Sequence, residues 1–102
     1  MSLIKTPQEI ETLAKAGALL GKILDTLVLE AAVGVTGKEL DEIARRMMQD
    51  FGVSPVFLGY GNPPFPAAIC VSVNSQVVHG IPTDTPFADG DVVSIDAGLS
   101  LE

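Results

Sequence analysis

The sequence has little positive charge, a single cysteine, a single histidine and no long uninterrupted apolar run. Six Lys and Arg stand against 13 Asp and Glu, giving a formal charge of −7 over 102 residues. That balance, with no basic patch anywhere, argues against a nucleic-acid partner, whose phosphates would repel it, and equally against an anionic membrane surface. Nothing approaches the roughly 20 apolar residues that a membrane-spanning helix needs. The first residues lack the basic and apolar regions of a secretory signal. One cysteine makes no internal disulfide, which fits a reducing compartment and hence a cytoplasmic protein. Repeats, low-complexity segments and interdomain linkers are missing as well, so residues 1–102 read as one domain or part of one. What is present is apolar: 47% of residues are hydrophobic and the mean hydropathy is +0.40. A small chain buries a small fraction of its surface, so this composition predicts that some of the apolar surface is covered from outside.

Thr6-Pro7-Gln8-Glu9 carries a hydroxyl N-cap, proline at the first helical position and a glutamate placed to complete a capping box. Ile10, Leu13, Gly17, Leu20, Leu24, Leu27 and Ala31 then recur at spacings of three and four. With Leu19, Ile23 and Val28 they predict a broad apolar stripe buried against a sheet, ending near Val33-Gly34. Thr36-Gly37-Lys38-Glu39 repeats the cap and predicts a second helix to about Asp50, with Leu40, Ile43, Ala44, Met47 and Phe51 on its core side. Arg45 and Arg46 fall beside Asp41, Glu42, Gln49 and Asp50, which reads as a solvated face with weak ion pairs. From Gly59 to Pro66 the glycines and prolines exclude a long helix or central strand.

Ile69 to Val73 alternates as a strand does, with Ile69, Val71 and Val73 on one side and Cys70 and Ser72 on the other. A turn at Asn74-Ser75-Gln76 leads through Val77-Val78 to His79, where a Gly-x-Pro turn follows. After the turn signal Asp89-Gly90, Asp91 to Gly98 reads as a second strand. Val93, Ile95 and Ala97 point one way there, and Val92, Ser94 and Asp96 the other. An acid in mid-strand admits two readings: a solvated face, or a metal ligand or catalytic carboxylate at Asp96.

The run Cys70-Val71-Ser72-Val73-Asn74-Ser75-Gln76-Val77-Val78-His79-Gly80-Ile81-Pro82, followed by Gly90-Asp91-Val92-Val93-Ser94-Ile95-Asp96-Ala97-Gly98, closely resembles bacterial type I methionine aminopeptidases. The likeness extends through the helical region to Ile4-Lys5-Thr6-Pro7. It implies an α+β chain of the pita-bread fold, namely the amino-terminal half, with two helices packed on an antiparallel sheet. The implied activity is that of a cytoplasmic metal-dependent hydrolase that removes the initiator methionine from nascent proteins. By position, Asp96 matches an aspartate ligand of a metal pair, and His79 matches a catalytic histidine that contacts the scissile amide of the substrate. Tyr60, Phe65 and Cys70 match the pocket for the methionine side chain, more loosely, because aligning them requires a short insertion at Asn62-Pro63. The family's other ligands, a second aspartate, a histidine and two glutamates, would lie beyond Glu102. Residues 1–102 are therefore expected to be the amino-terminal part of one catalytic domain lacking its carboxy-terminal half, inactive alone and prone to self-association.

Two divalent ions can hold hydroxide between them and polarise a carbonyl, and hard oxygen donors such as Asp96 suit that task. The resemblance implies cobalt, manganese, iron or zinc. An imidazole such as His79 can hydrogen-bond the amide nitrogen or carry a proton. A reading from another class is a non-catalytic interaction module built on half of the same scaffold. Such a module would have no chemical need of either His79 or Asp96.

Overall fold

The computed structural model describes residues 6–74 and 80–101. Ile4, Lys5, the segment from Ser75 to His79 and Glu102 lie outside the described residues. Helix α1 spans Pro7–Glu30 and opens with the expected box: Glu9 N donates to Thr6 Oγ1 at 3.1 Å, and Thr6 N donates to Glu9 Oε1 at 2.8 Å. The Thr6 backbone N–H first, then the Thr6 hydroxyl, hold the Glu9 carboxyl below its ordinary pKa. The helix stops before Val33-Gly34, because Ala31 turns extended and the chain from 31 to 35 is drawn into pairing with Phe87. Gly34 N donates to Phe87 O and Phe87 N to Val35 O, at 2.9 and 2.8 Å.

The burial of α1 also differs from the stripe read in the sequence. Ile23 and Leu27 are fully buried, whereas Ile10 and Leu13 are 57% and 58% exposed. The reason is length. A helix of 24 residues is about 36 Å long, while a strand of five residues covers only about 17 Å, so the first turns of α1 run past the sheet. No helix among the described residues is long and apolar enough to cross a membrane.

Helix α2, Gly37–Phe51, is capped by Thr36, whose hydroxyl accepts from Glu39 N at 3.1 Å and lies 3.3 Å from Glu39 Oε1. It ends at Gly52, whose φ of 72° is the left-handed value that favours glycine. Leu40, Ala44 and Met48 form its buried line, with Ile43, Met47 and Phe51 packed around it. Asp41 departs from expectation. Instead of a solvated face it occupies the core boundary at 7% exposure, because it satisfies backbone amides of the sheet's entry.

Strands β1 (Ser54–Pro55), β2 (Ile69–Val73), β3 (Val93–Ala97) and β4 (Leu99–Ser100) form two small antiparallel ladders, and the fold class is α+β as expected. In the larger ladder Ile69 faces Ala97, Cys70 faces Asp96, Val71 faces Ile95, Ser72 faces Ser94 and Val73 faces Val93. The alternation read from sequence is thus observed. Ile69, Val71, Val73, Val93, Ile95 and Ala97 belong to the core, while Ser94 and Asp96 are exposed. The second strand is shorter than Asp91 to Gly98, since Gly98 interrupts it and the chain changes partner: Ser100 faces Ser54 and Leu99 faces Pro55.

Hydrogen-bond direction shows how the two ladders relate. Val71 N donates to Gly80 O, away from β3, whereas Asn74 N donates to Val92 O, toward it. Even-numbered residues from 92 to 98 therefore point their backbone groups at β2. Gly98 O accepts from Val56 N, so β1 lies along the same strand edge as β2. The chain leaves that edge after Val56, makes an excursion over 57–68, and returns to it at Ile69. Proline at 55 is accommodated because that position has no ladder bond to make.

The far end of the ladder is fixed by Asn74, which has φ 55°. Its amide donates to Asp91 Oδ1 and accepts from Val92 N, both at 3.0 Å. Asp91 also accepts from Ala88 N at 2.8 Å. That backbone bond first, then the Asn74 amide, holds the Asp91 carboxyl below its ordinary value. A depressed native pKa stabilises the fold above the unfolded value, and that contribution fades as pH falls through the native one. Asn74→Ala should cost about 1 kcal/mol and leave Asp91 titrating closer to normal. Urea unfolding at pH 7 and pH 3 checks this: the gap between variant and parent should shrink at the lower pH.

Candidate functional site

Cys70 and Asp96 form a hydrogen-bonded cross-strand pair, so their side chains leave the same face of the sheet, with Cα atoms about 5.5 Å apart. Cys70 is only 2% exposed. Burial pushes its thiol above the ordinary value, and the negative charge of Asp96 adds to the effect. The sulfur is therefore protonated at neutral pH, a neutral polarizable surface instead of a nucleophile.

Cys70 is also one of the residues that line a cavity of about 460 Å³, with Val56, Phe57, Tyr60 and Phe65. The excursion over 57–68 builds the rest. Tyr60 N donates to Phe57 O at 2.9 Å, Phe65 N to Tyr60 O at 2.8 Å and Gly59 N to Phe65 O at 2.8 Å, closing the segment on itself. Glycines at 59 and 61 take φ values of 81° and 88°, which these tight reversals require. The Phe57 and Phe65 rings meet edge to face at 6.5 Å, a favourable aromatic geometry. Tyr60 stands at the rim, 75% exposed. The structure thus brings Tyr60, Phe65 and Cys70 together on one apolar cavity, with Asp96 opposite Cys70 in the ladder. Val56 was missed and Phe57 was not singled out in the sequence reading. Both follow from the ladder, since Val56 is the last residue held to the strand before the excursion.

Asp41 fixes where the excursion ends. Its Oδ1 accepts from Ala68 N at 2.8 Å and Ile69 N at 3.2 Å, and its Oδ2 from Arg45 Nε at 2.8 Å. Arg45 also donates to Pro66 O at 3.0 Å. Three of the four positions ahead of Cys70, Pro66, Ala68 and Ile69, are consequently tied to α2. The only signal in the sequence is the i, i+4 spacing of Asp41 and Arg45 beside the buried Leu40 and Ala44, and that spacing is equally common on solvated faces.

On the other side of β2, Gly80 donates to Ser72 Oγ at 3.2 Å and accepts from Val71 N. A Cβ there would overlap the Val71 carbonyl oxygen and lie 2.7 Å from Ser72 Oγ, so only glycine fits. His79, the preceding residue in sequence, is outside the described residues.

The metal pair implied by the resemblance needs several converging donors. Asp96 offers the hard oxygen that such ions prefer. Among the described residues, however, no three His, Cys, Asp or Glu side chains converge. One carboxylate does not hold two divalent ions, so the described residues do not by themselves fit the pair.

The sequence pattern of metallopeptidase family M24 matches residues 11–102. A methionine aminopeptidase of Chlamydia muridarum is 45% identical over 100 residues, which is 98% of this chain and 34% of that protein. One from Clostridium perfringens is 44% identical over 102 residues, 99% of this chain and 40% of that one. Among solved structures, methionine aminopeptidase from Rickettsia prowazekii superposes with a TM-score of 0.90 at 32% identity, covering 97% of this chain and 39% of the other. The enzyme from Thermotoga maritima gives 0.89 at 37% identity, with the same coverage. The chain thus spans 34% to 40% of the length of these relatives.

Proposed function

The chain belongs to metallopeptidase family M24, and from that premise we propose that it is the amino-terminal part of a single methionine aminopeptidase domain whose carboxy-terminal half is absent here. The whole enzyme, cytoplasmic in this reading, removes the initiator methionine from nascent polypeptides. The observation that carries the proposal is the apolar cavity: Tyr60, Phe65 and Cys70 share it, and Asp96 faces Cys70 across the ladder.

The roles follow from chemistry. The cavity receives the unbranched thioether side chain, with the protonated Cys70 sulfur and the Phe57 and Phe65 ring edges as polarizable contacts, which favour sulfur and leave a charged side chain without a partner. Asp96 supplies one oxygen ligand, and His79 hydrogen-bonds the scissile amide. In the complete enzyme two divalent ions, cobalt, manganese, iron or zinc, would supply the activated water; this chain contributes one of their donors. We read the 102-residue chain on its own as inactive and self-associating, since Ile10, Leu13, Val28 and Leu29 leave apolar surface in water.

The test uses a chimera in which this chain is continued by the downstream sequence of the Clostridium perfringens relative. There Phe65→Ala should lower kcat/KM for a methionyl peptide about 10- to 100-fold, chiefly through KM, as expected for one lost buried aromatic contact. An unchanged KM would mean that the cavity does not receive the methionine side chain.

A further inference from the structure

Two residues that line the cavity, Phe65 and Cys70, each stand one position from a bond to helix α2. Phe65 precedes Pro66, whose carbonyl accepts from Arg45 Nη2 at 3.0 Å, and Cys70 follows Ile69, whose N–H donates to Asp41 Oδ1 at 3.2 Å. Arg45 Nε in turn donates to Asp41 Oδ2 at 2.8 Å, so one ion pair reaches both walls. The two attachments differ in kind. Asp41 is 7% exposed and also accepts from Ala68 N, which locks the Cys70 wall to the core. The Arg45 side chain is 44% exposed, and the backbone bonds among Phe57, Gly59, Tyr60 and Phe65 close the excursion on itself without fastening it to α2.

Resting on the reading of this cavity as the methionine pocket, we propose that Arg45 is a positioning residue for specificity: by holding Pro66 O it keeps the Phe65 wall close to Cys70 and sets the cavity to an unbranched side chain. The guanidinium is a rigid planar fork, so pairing Nε with Asp41 fixes where Nη2 points. Proline has a fixed φ, so holding its carbonyl also fixes the direction in which the chain arrives from Phe65. On the outer side of this stem a cleft of about 290 Å³ is bounded by Arg45, Pro66, Ala67 and Pro82. Without the Arg45 bond the stem has open space to enter, and Phe65 moves with it, away from a Cys70 that Asp41 still holds. Apolar side chains of similar size are told apart by shape alone, and only weakly. The preference for methionine over the branched leucine is therefore what a loosened wall gives up. One partly exposed hydrogen bond sets the scale, about three- to tenfold.

The test uses the chimera described above with Arg45→Ala and Arg45→Met, the second keeping an apolar stem of similar reach. Both should raise KM for a methionyl peptide about three- to tenfold with kcat changed by no more than about twofold. Inhibition by methioninamide and leucinamide reads the preference directly, and the ratio of their inhibition constants should move toward leucine by about the same factor, three to ten. A lowered urea midpoint with an unaltered ratio would mean that Arg45 serves the fold alone, and would overturn the proposal. A shift with alanine that is absent with methionine would assign the effect to packing and overturn it as well. The cavity reading fails separately: if Phe65→Ala leaves KM unchanged, that reading falls and takes this proposal with it, whereas a raised KM in Phe65→Ala beside an unaltered ratio in the Arg45 variants overturns the proposal alone. Should the Arg45 variants fail to fold, Asp41→Asn decides, since it keeps an acceptor for both amides and releases Arg45. Its ratio should shift in the same direction, and an unaltered one would overturn the proposal.

Discussion

Asp41→Ala should destabilise the chain by about 3 kcal/mol, because two buried amide groups, of Ala68 and Ile69, lose their acceptor together. Nothing nearby can replace it: Arg45, the other partner of Asp41, is itself a donor. Total stabilities of domains this size are about 5 to 15 kcal/mol, so the loss is a large share. Asp41→Asn keeps a carbonyl oxygen for the two amides and gives up only the charged bond to Arg45, and should cost closer to 1 kcal/mol. Urea titration separates the two as shifts of midpoint at constant slope. The alanine variant should also expose Cys70 to thiol reagents faster than its parent, since the segment ahead of it is no longer tied to α2. Equal stabilities for alanine and asparagine would mean that Asp41 acts by packing and not by accepting hydrogen bonds.

The second large effect concerns chemistry and is read in the chimera with the Clostridium perfringens downstream sequence. Asp96→Asn should lose metal first and activity as a consequence, with kcat/KM falling on the order of a hundredfold or more, since a neutral amide is a poorer donor than a carboxylate. His79→Ala should do the converse. Its kcat should fall about 100-fold with metal content unchanged, because His79 is assigned to the substrate amide and not to an ion. Metal analysis beside steady-state kinetics distinguishes them: loss of one ion per site in His79→Ala would overturn that assignment.

These two sites were not equally legible. The side of its own strand that each of Cys70 and Asp96 takes was readable because strand periodicity is two, and any chain that buries Ile69, Val71 and Val73 must turn Cys70 and Ser72 away; that the two side chains share one face came only with the register. Helix starts were legible for the same local reason, a hydroxyl and a glutamate three residues apart at both Thr6 and Thr36. Asp41 was not, because its partners lie 27 and 28 residues away in sequence and nothing in a helical pattern announces a bond to a strand's entry. The early exposure of α1 was missed for a related reason. Periodicity says which side of a helix is apolar but not how far the sheet beneath it reaches, and here Ile10 and Leu13 extend beyond a five-residue strand. The shared edge of β1 and β2 likewise depends on hydrogen-bond direction, which side-chain alternation does not encode.

Methionine release from a Met-Gly-Met peptide with added manganese or cobalt tests the central claim most directly, run side by side on the 102-residue chain and on the same chain continued by its relative's downstream sequence. The continued chain should release methionine and spare peptides that begin with lysine or glutamate, while the 102 residues alone should release none. Release by the short chain, or no release by a folded, metal-loaded continuation, would contradict the account.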